Sequence, residues 1–110
     1  MKFNCPYWKS KARIDLLQKW ILVHSFLYYE LNESIVSDEM FDNNCLQLYK
    51  FKVKYKQSYR KSNYYYAMKN FDGSTGFGYF EKLNKENSYS VMRDANYAKM
   101  LVEKRRVSIG

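Results

Sequence analysis

Between residues 9 and 31, apolar side chains return at every third or fourth position, at Ile14, Leu17, Trp20/Ile21, Leu27/Tyr28 and Leu31, with His24 in the same series. No glycine or proline interrupts the run, and the period predicts a long amphipathic helix. Asn32-Glu33-Ser34 breaks the period. Ser37, followed by Asp38 and Glu39, then supplies an N-cap hydroxyl and two carboxylates for the positive end of a second helix, so the chain folds back on itself. Residues four apart share a helix face, which groups Asp38 and Asp42 beside Phe41, and His24 with Tyr28. An antiparallel pair of this kind can bring aromatic and imidazole rings up to two carboxylates and hold a small, flat, hydroxyl-bearing ligand.

Farther along, Ser88 or Ser90 can cap a last helix reaching about Lys104, with Val91, Ala95, Ala98/Lys99 and Val102 as its apolar stripe. Lys104-Arg105-Arg106 suits the negative end of that helix, and the tail beyond it is expected to fray. The strict alternation Lys50-Phe51-Lys52-Val53-Lys54-Tyr55-Lys56 fits a short exposed strand, and equally the polar end of the second helix. The expected architecture is mainly α, with an antiparallel helical pair, a C-terminal helix packed back on it, and room for a small β-hairpin between Tyr64 and Phe80. Trp20, Leu17, Ile21, Leu27, Phe41, Cys45, Leu48, Ala95 and Val102 are the expected core. One domain over 1–110 is anticipated, with the helical pair in 13–48, a basic aromatic segment in 49–71, and a turn and helix in 72–110.

With 110 residues, 46% of them hydrophobic, the chain can bury a modest core. Aromatic residues make up 19%, with 12 Tyr and 7 Phe, more rings than such a core needs. Tyrosine joins a large contact area to a polar tip, so some of these rings should sit at a surface or an interface, with a partner protein or a second copy of the chain. Cys5 and Cys45 have no metal-site spacing, and one cysteine pair makes no disulfide scaffold, so reduced thiols in a cytoplasmic setting are expected. His24 is the single histidine. Its solitude argues against zinc and a Cys-His pair, and favours a core or interface role. The stretch from Phe3 to Trp8 does not read as a signal peptide, and no later run is apolar enough to span a bilayer, so a soluble protein without a membrane partner is expected.

The net charge of +8 is unevenly spread. Lys50, Lys52, Lys54, Lys56, Arg60, Lys61 and Lys69 fall between Asp42 and Asp72, where there is no acid. Interleaved with Phe51, Val53, Tyr55, Tyr59 and Tyr64 to Tyr66, these cations have the ingredients for gripping phosphates and stacking unpaired bases. A solvated basic surface, or a face for an acidic protein, fits the same composition. The glycine-rich string from Asp72 to Gly78 lacks the spacing of a phosphate-binding loop and reads as a turn.

The strings Tyr28-Tyr29-Glu30-Leu31-Asn32 and Asp38-Glu39-Met40-Phe41-Asp42 match in register, without a gap, the pattern of the small N-terminal domain of bacterial NAD-dependent DNA ligases. The resemblance covers residues 13–48. It implies a domain that grips the nicotinamide mononucleotide half of NAD, with Tyr28, Tyr29, Asp38, Phe41 and Asp42 at the nucleotide-binding positions. Phe41 stands where the family has tyrosine. A ligase also needs a Lys-x-Asp-Gly nucleophile motif and further domains. The nearest string here, Lys69-Asn70-Phe71-Asp72-Gly73, is one residue too long. The expectation is therefore no enzyme, no required cofactor, and NAD or nicotinamide mononucleotide as a candidate ligand. The helical pair followed by FDGSTGF and a short helical tail also resembles small stand-alone phage proteins described as ligase-related. That likeness implies a protein of the infected bacterial cytoplasm that binds host or defence machinery. The alternative is an accessory DNA- or RNA-binding protein working through Lys50, Lys52, Lys54, Lys56, Arg60 and Lys61.

Overall fold

A computed structural model of the chain describes residues 6–74 and 78–109, with side chains from 10 to 74 and 78 to 105. Cys5 and the rest of residues 1–5, and Thr75, Gly76 and Phe77 of the glycine-rich string, lie outside the described residues. Five α-helices are described: α1 (Pro6–Tyr29), α2 (Asp38–Lys54), α3 (Lys56–Arg60), α4 (Tyr65–Met68) and α5 (Lys85–Ile109), with a 3₁₀ turn at Phe80–Lys82. The fold is mainly α, and no strand occurs among the described residues. The hairpin expected between Tyr64 and Phe80 is replaced by α4 and a turn. Tyr59, Met68 and Phe71 explain the difference: all are buried, and the Tyr59 hydroxyl donates to the Met68 carbonyl at 2.6 Å, holding this segment to the core in coiled form.

Helix α1 begins with proline at its first position, where a missing N–H costs nothing. It ends two residues before the expected boundary. Asn32 adopts a left-handed conformation, φ 53°, and the Glu33 amide reaches back to the Leu27 carbonyl at 2.8 Å. Ser37 caps α2 as expected: its Oγ accepts from the Met40 amide at 3.1 Å, and Asp38 and Glu39 occupy the first turn. The alternating lysine run is not a strand: Lys50 to Lys54 form the last turns of α2, Tyr55 is its C-cap and Lys56 begins α3. Helix α5 starts earlier than the serines suggested, because Asn84 Oδ1 accepts from the Asn87 amide at 2.8 Å and does the capping. It continues to Ile109 instead of fraying after Arg106.

Helix α1 is the centre of the packing, touching α2, α3, α5 and the 3₁₀ turn. Its buried residues run Ser10, Ile14, Gln18, Ile21, Leu22, Ser25, Phe26 and Leu27, which is more than one face. Cys45 and Leu48 are the buried contribution of α2, and Val91 and Ala95 that of α5. Of the expected core, Ile21, Leu27, Cys45, Leu48 and Ala95 are buried, whereas Leu17, Trp20 and Phe41 are half-buried against it and Val102 is intermediate. Polar residues along α1 are matched by a seam on α3 and the turn after it. Ser10 and Ser58 share a hydrogen bond at 2.6 Å, Gln18 Nε2 donates to Ser62 Oγ at 2.9 Å, and Asp15 accepts from the Asn63 amide at 2.8 Å. An ion pair, Lys19 Nζ to Asp94 at 2.7 Å, ties α1 to α5. It is partly exposed and contributes at most about 1 kcal/mol.

Lysine 52 closes the far side of α2. Its ammonium donates to the Lys69 and Phe71 carbonyls at 2.7 and 2.8 Å, clamping the loop that follows α4. The Asp72-Gly73 pair then forms the expected turn, with Asp72 Oδ1 accepting from the Ser74 amide at 3.0 Å. Gly73 has φ +91°, and a Cβ there would meet Tyr49 Cβ at 3.1 Å, so the turn needs glycine twice over.

Candidate functional site

The fold-back between α1 and α2 leaves a cavity of about 320 Å³ at the C-terminal end of α1 and the start of α2. That volume lies at the lower end of the roughly 300–1,000 Å³ typical of small-molecule sites. Tyr28 and Tyr29 from the last turn of α1, and Asp38, Phe41 and Asp42 from the first turns of α2, all line it. The five residues singled out by the sequence pattern therefore converge. Their placement follows from local rules: the Asn32 turn reverses the chain, the Ser37 cap fixes where α2 starts, and the spacing of four puts both aspartates on one side.

Tyr28 and Tyr29 meet edge to face with ring centroids 4.9 Å apart, and they are 54% and 46% exposed. Behind them Trp20 bridges the two helices, 4.3 Å from His24 and 5.9 Å from Phe41 between centroids. Trp20 does not line the cavity; it is a spacer between α1 and α2, a role its expected core position did not reveal. Asp38 and Asp42 form no ion pair among the described residues. Cys45, one turn beyond Asp42, is sealed in the core. Its thiol is pushed up to about 12, first by burial and then by the Asp42 charge, and is correspondingly unreactive.

His24 also lines the cavity, and burial lowers its pKa below the usual 6.5. The imidazole is favoured neutral in the folded chain, so the unfolded chain takes up a proton first and stability falls as pH drops through 6.5. No other histidine is present. Thermal melts between pH 7.5 and 5.5 should show a falling Tm, and His24→Asn should flatten that dependence. A wild-type slope unchanged in the variant would remove His24 as its source.

The pattern missed several lining residues: Ser25, Glu33, Ser34, Ile35 and Val36. Ser25 had a legible signal, since it precedes Tyr28 and Tyr29 by three and four positions and shares their face. The linker residues had none, because their inward position depends on the turn at Asn32.

The basic segment is divided by its helical conformation. Lys50 and Lys54 lie four apart on the exposed side of α2, while Lys52 points away and is consumed by the loop clamp. Lys56 and Arg60 are exposed at the two ends of α3, and Lys61 is exposed just after it. Among the accompanying rings, Tyr59 and Tyr64 are buried and Tyr66 is 83% exposed. The structure thus separates Lys52, Tyr59 and Tyr64 from the surface the sequence suggested. For Lys52 helical geometry is the reason, because alternate residues on a helix do not share a face, while Tyr59 and Tyr64 are drawn into the core.

No protein-family model matches the chain, and no solved structure matches it. Over 48 residues, 44% of its length, the chain is 38% identical to a DNA ligase of Buchnera aphidicola subsp. Acyrthosiphon pisum (strain 5A). The match spans only 7% of that ligase. The chain thus carries a ligase-related segment within a mainly helical fold. No helix among the described residues is long and apolar enough to cross a membrane.

Proposed function

We propose that this protein is a non-catalytic binding module built on a ligase-derived helical pair, and that the cavity between α1 and α2 takes a nicotinamide nucleotide. The supporting observation is the convergence of Tyr28, Tyr29, Asp38, Phe41 and Asp42 on that one cavity. Tyrosine faces can stack on a pyridinium ring, and the aspartates can accept from ribose hydroxyls or a carboxamide. Phe41 supplies an apolar wall only. Such a module acts by occupancy, engaging a host or defence macromolecule of the phage-infected cell or sequestering the nucleotide.

Calorimetric titration with nicotinamide mononucleotide should give saturable heat, and Asp38→Ala and Asp42→Ala should each weaken binding tenfold or more. Absence of heat at millimolar ligand, or affinities unchanged in both variants, rejects the nucleotide reading. A second reading rests on the exposed cations Lys50, Lys54, Lys56 and Arg60, which suit a nucleic-acid backbone. It requires a salt-sensitive mobility shift with single-stranded or duplex DNA, weakened by Lys54→Ala and Lys56→Ala.

A further inference from the structure

Helix α2 carries a second apolar stripe, separate from the Cys45 and Leu48 face that docks it in the core. Leu46, Tyr49 and Val53 are 49%, 38% and 53% exposed. Together with Glu39 and Asp42 they recur at alternating steps of three and four residues, the spacing of a helix–helix seam, and the next step falls on Lys56 at the start of α3.

The charges along the stripe are ordered. Asp38, Glu39 and Asp42 stand in the first turns of α2, Lys50 and Lys54 in its last turns and Lys56 just beyond. All six are exposed, and none forms an ion pair among the described residues. Asp72, in the turn whose Gly73 lies against Tyr49, brings a further acid near, but its charge is met by Ser74 and Lys52. Two copies of such a helix laid antiparallel about a two-fold axis set Leu46 against the partner's Tyr49 and Glu39 against the partner's Lys56, with the helix dipoles opposed. A parallel pairing would set acids on acids and bases on bases. Helix α5 also exposes apolar side chains, among them Tyr89, Tyr97 and Met100, but its charges have no such order: Lys85 and Glu86 share one end, and Glu103 and Lys104 lie toward the other. Self-pairing there would have nothing to set against a net charge of +8 on each copy.

We infer that the exposed face of α2 is a self-association surface, on which a second copy of this chain docks antiparallel, with Leu46, Tyr49 and Val53 as the apolar seam and Glu39 facing the partner's Lys56 at each end. The inference stands apart from the nicotinamide reading. Three apolar side chains from each copy make a small interface, so the pairing is weak, with a Kd of about 10–100 µM. Well below that range the chain is monomeric and the stripe is open to solvent.

Sedimentation equilibrium tests the pairing. The mass should rise from 13.4 kDa toward twice that value as concentration passes through the range. Lys56→Glu should weaken self-association about fivefold or more. That variant lowers the net positive charge, so relief of general repulsion alone would strengthen association instead. Glu39→Lys should weaken it at least as much, and the double variant Glu39→Lys/Lys56→Glu should restore wild-type association, because the antiparallel pairs re-form with their signs exchanged. A mass that stays at 13.4 kDa throughout overturns the pairing, and a DNA mobility shift lost in Lys56→Glu would then assign the basic end of α2 to nucleic acid. Self-association that persists unchanged in both single variants, or that the double variant fails to restore while circular dichroism shows intact helices, puts the contact elsewhere and overturns it as well.

Discussion

Leu48→Ala should cost about 3 kcal/mol of stability and take ligand binding at the α1–α2 cavity with it. Leu48 is fully buried, and with Cys45 it is what α2 contributes to the core. Truncation removes most of a buried side chain and leaves a void that the neighbouring helices fill only partly. For a domain of this size the loss corresponds to a Tm lowered by about 15 °C. The binding consequence follows from position. Asp38, Phe41 and Asp42 are carried by the same helix, so their distance from Tyr28 and Tyr29 depends on how α2 seats on α1. Leu46→Ala is the control: Leu46 is 49% exposed, and its truncation should change stability by less than about 0.5 kcal/mol. Chemical denaturation of the two variants separates the cases, and equal effects would mean that α2 does not dock through Leu48.

Gln18→Ala should cost about as much, for a different reason. Gln18 is fully buried; its Nε2 donates to Ser62 Oγ at 2.9 Å and its Oε1 accepts from the Tyr64 amide at 3.4 Å. Ser62 keeps a second bond, donating to the Tyr59 carbonyl at 2.6 Å, so the group stranded by the substitution is the Tyr64 amide. A buried donor without a partner costs about 1–3 kcal/mol, and the vacated volume adds to it. Gln18→Leu keeps the volume and isolates the polar loss, so it should fall between wild type and Gln18→Ala, with about 2 kcal/mol lost. If Gln18→Leu proves as stable as wild type, the seam between α1 and the turn after α3 is not held by this amide.

The helical pair was readable because local signals carried it: the period of α1, the Ser37 cap and the paired aspartates each act within a few residues. Other boundaries depended on competing signals. Asn84 outranked Ser88 and Ser90 as the cap of α5, and asparagine and serine are both good caps, so sequence alone did not rank them. The lysine alternation had two valid periods, and only the contacts of Lys52 with the Lys69 and Phe71 carbonyls show why the helical one prevails. The expected hairpin failed because Tyr59, Met68 and Phe71 are drawn into the core from separate positions, which coil accommodates and a flat ladder would not.

The chain's own residues determined that α1 and α2 exist, that they reverse at Asn32, and that two tyrosines and two aspartates face one another across the turn. These outcomes follow from periodicity, capping and side-chain spacing, which act locally. Tertiary structure alone decided that α1 is enclosed on several sides, because α2, α3 and α5 must arrive from distant parts of the chain to cover it. That enclosure places Gln18 and Ser10 against partners more than forty residues away, and it leaves the Ser25 hydroxyl buried without a hydrogen-bond partner among the described residues.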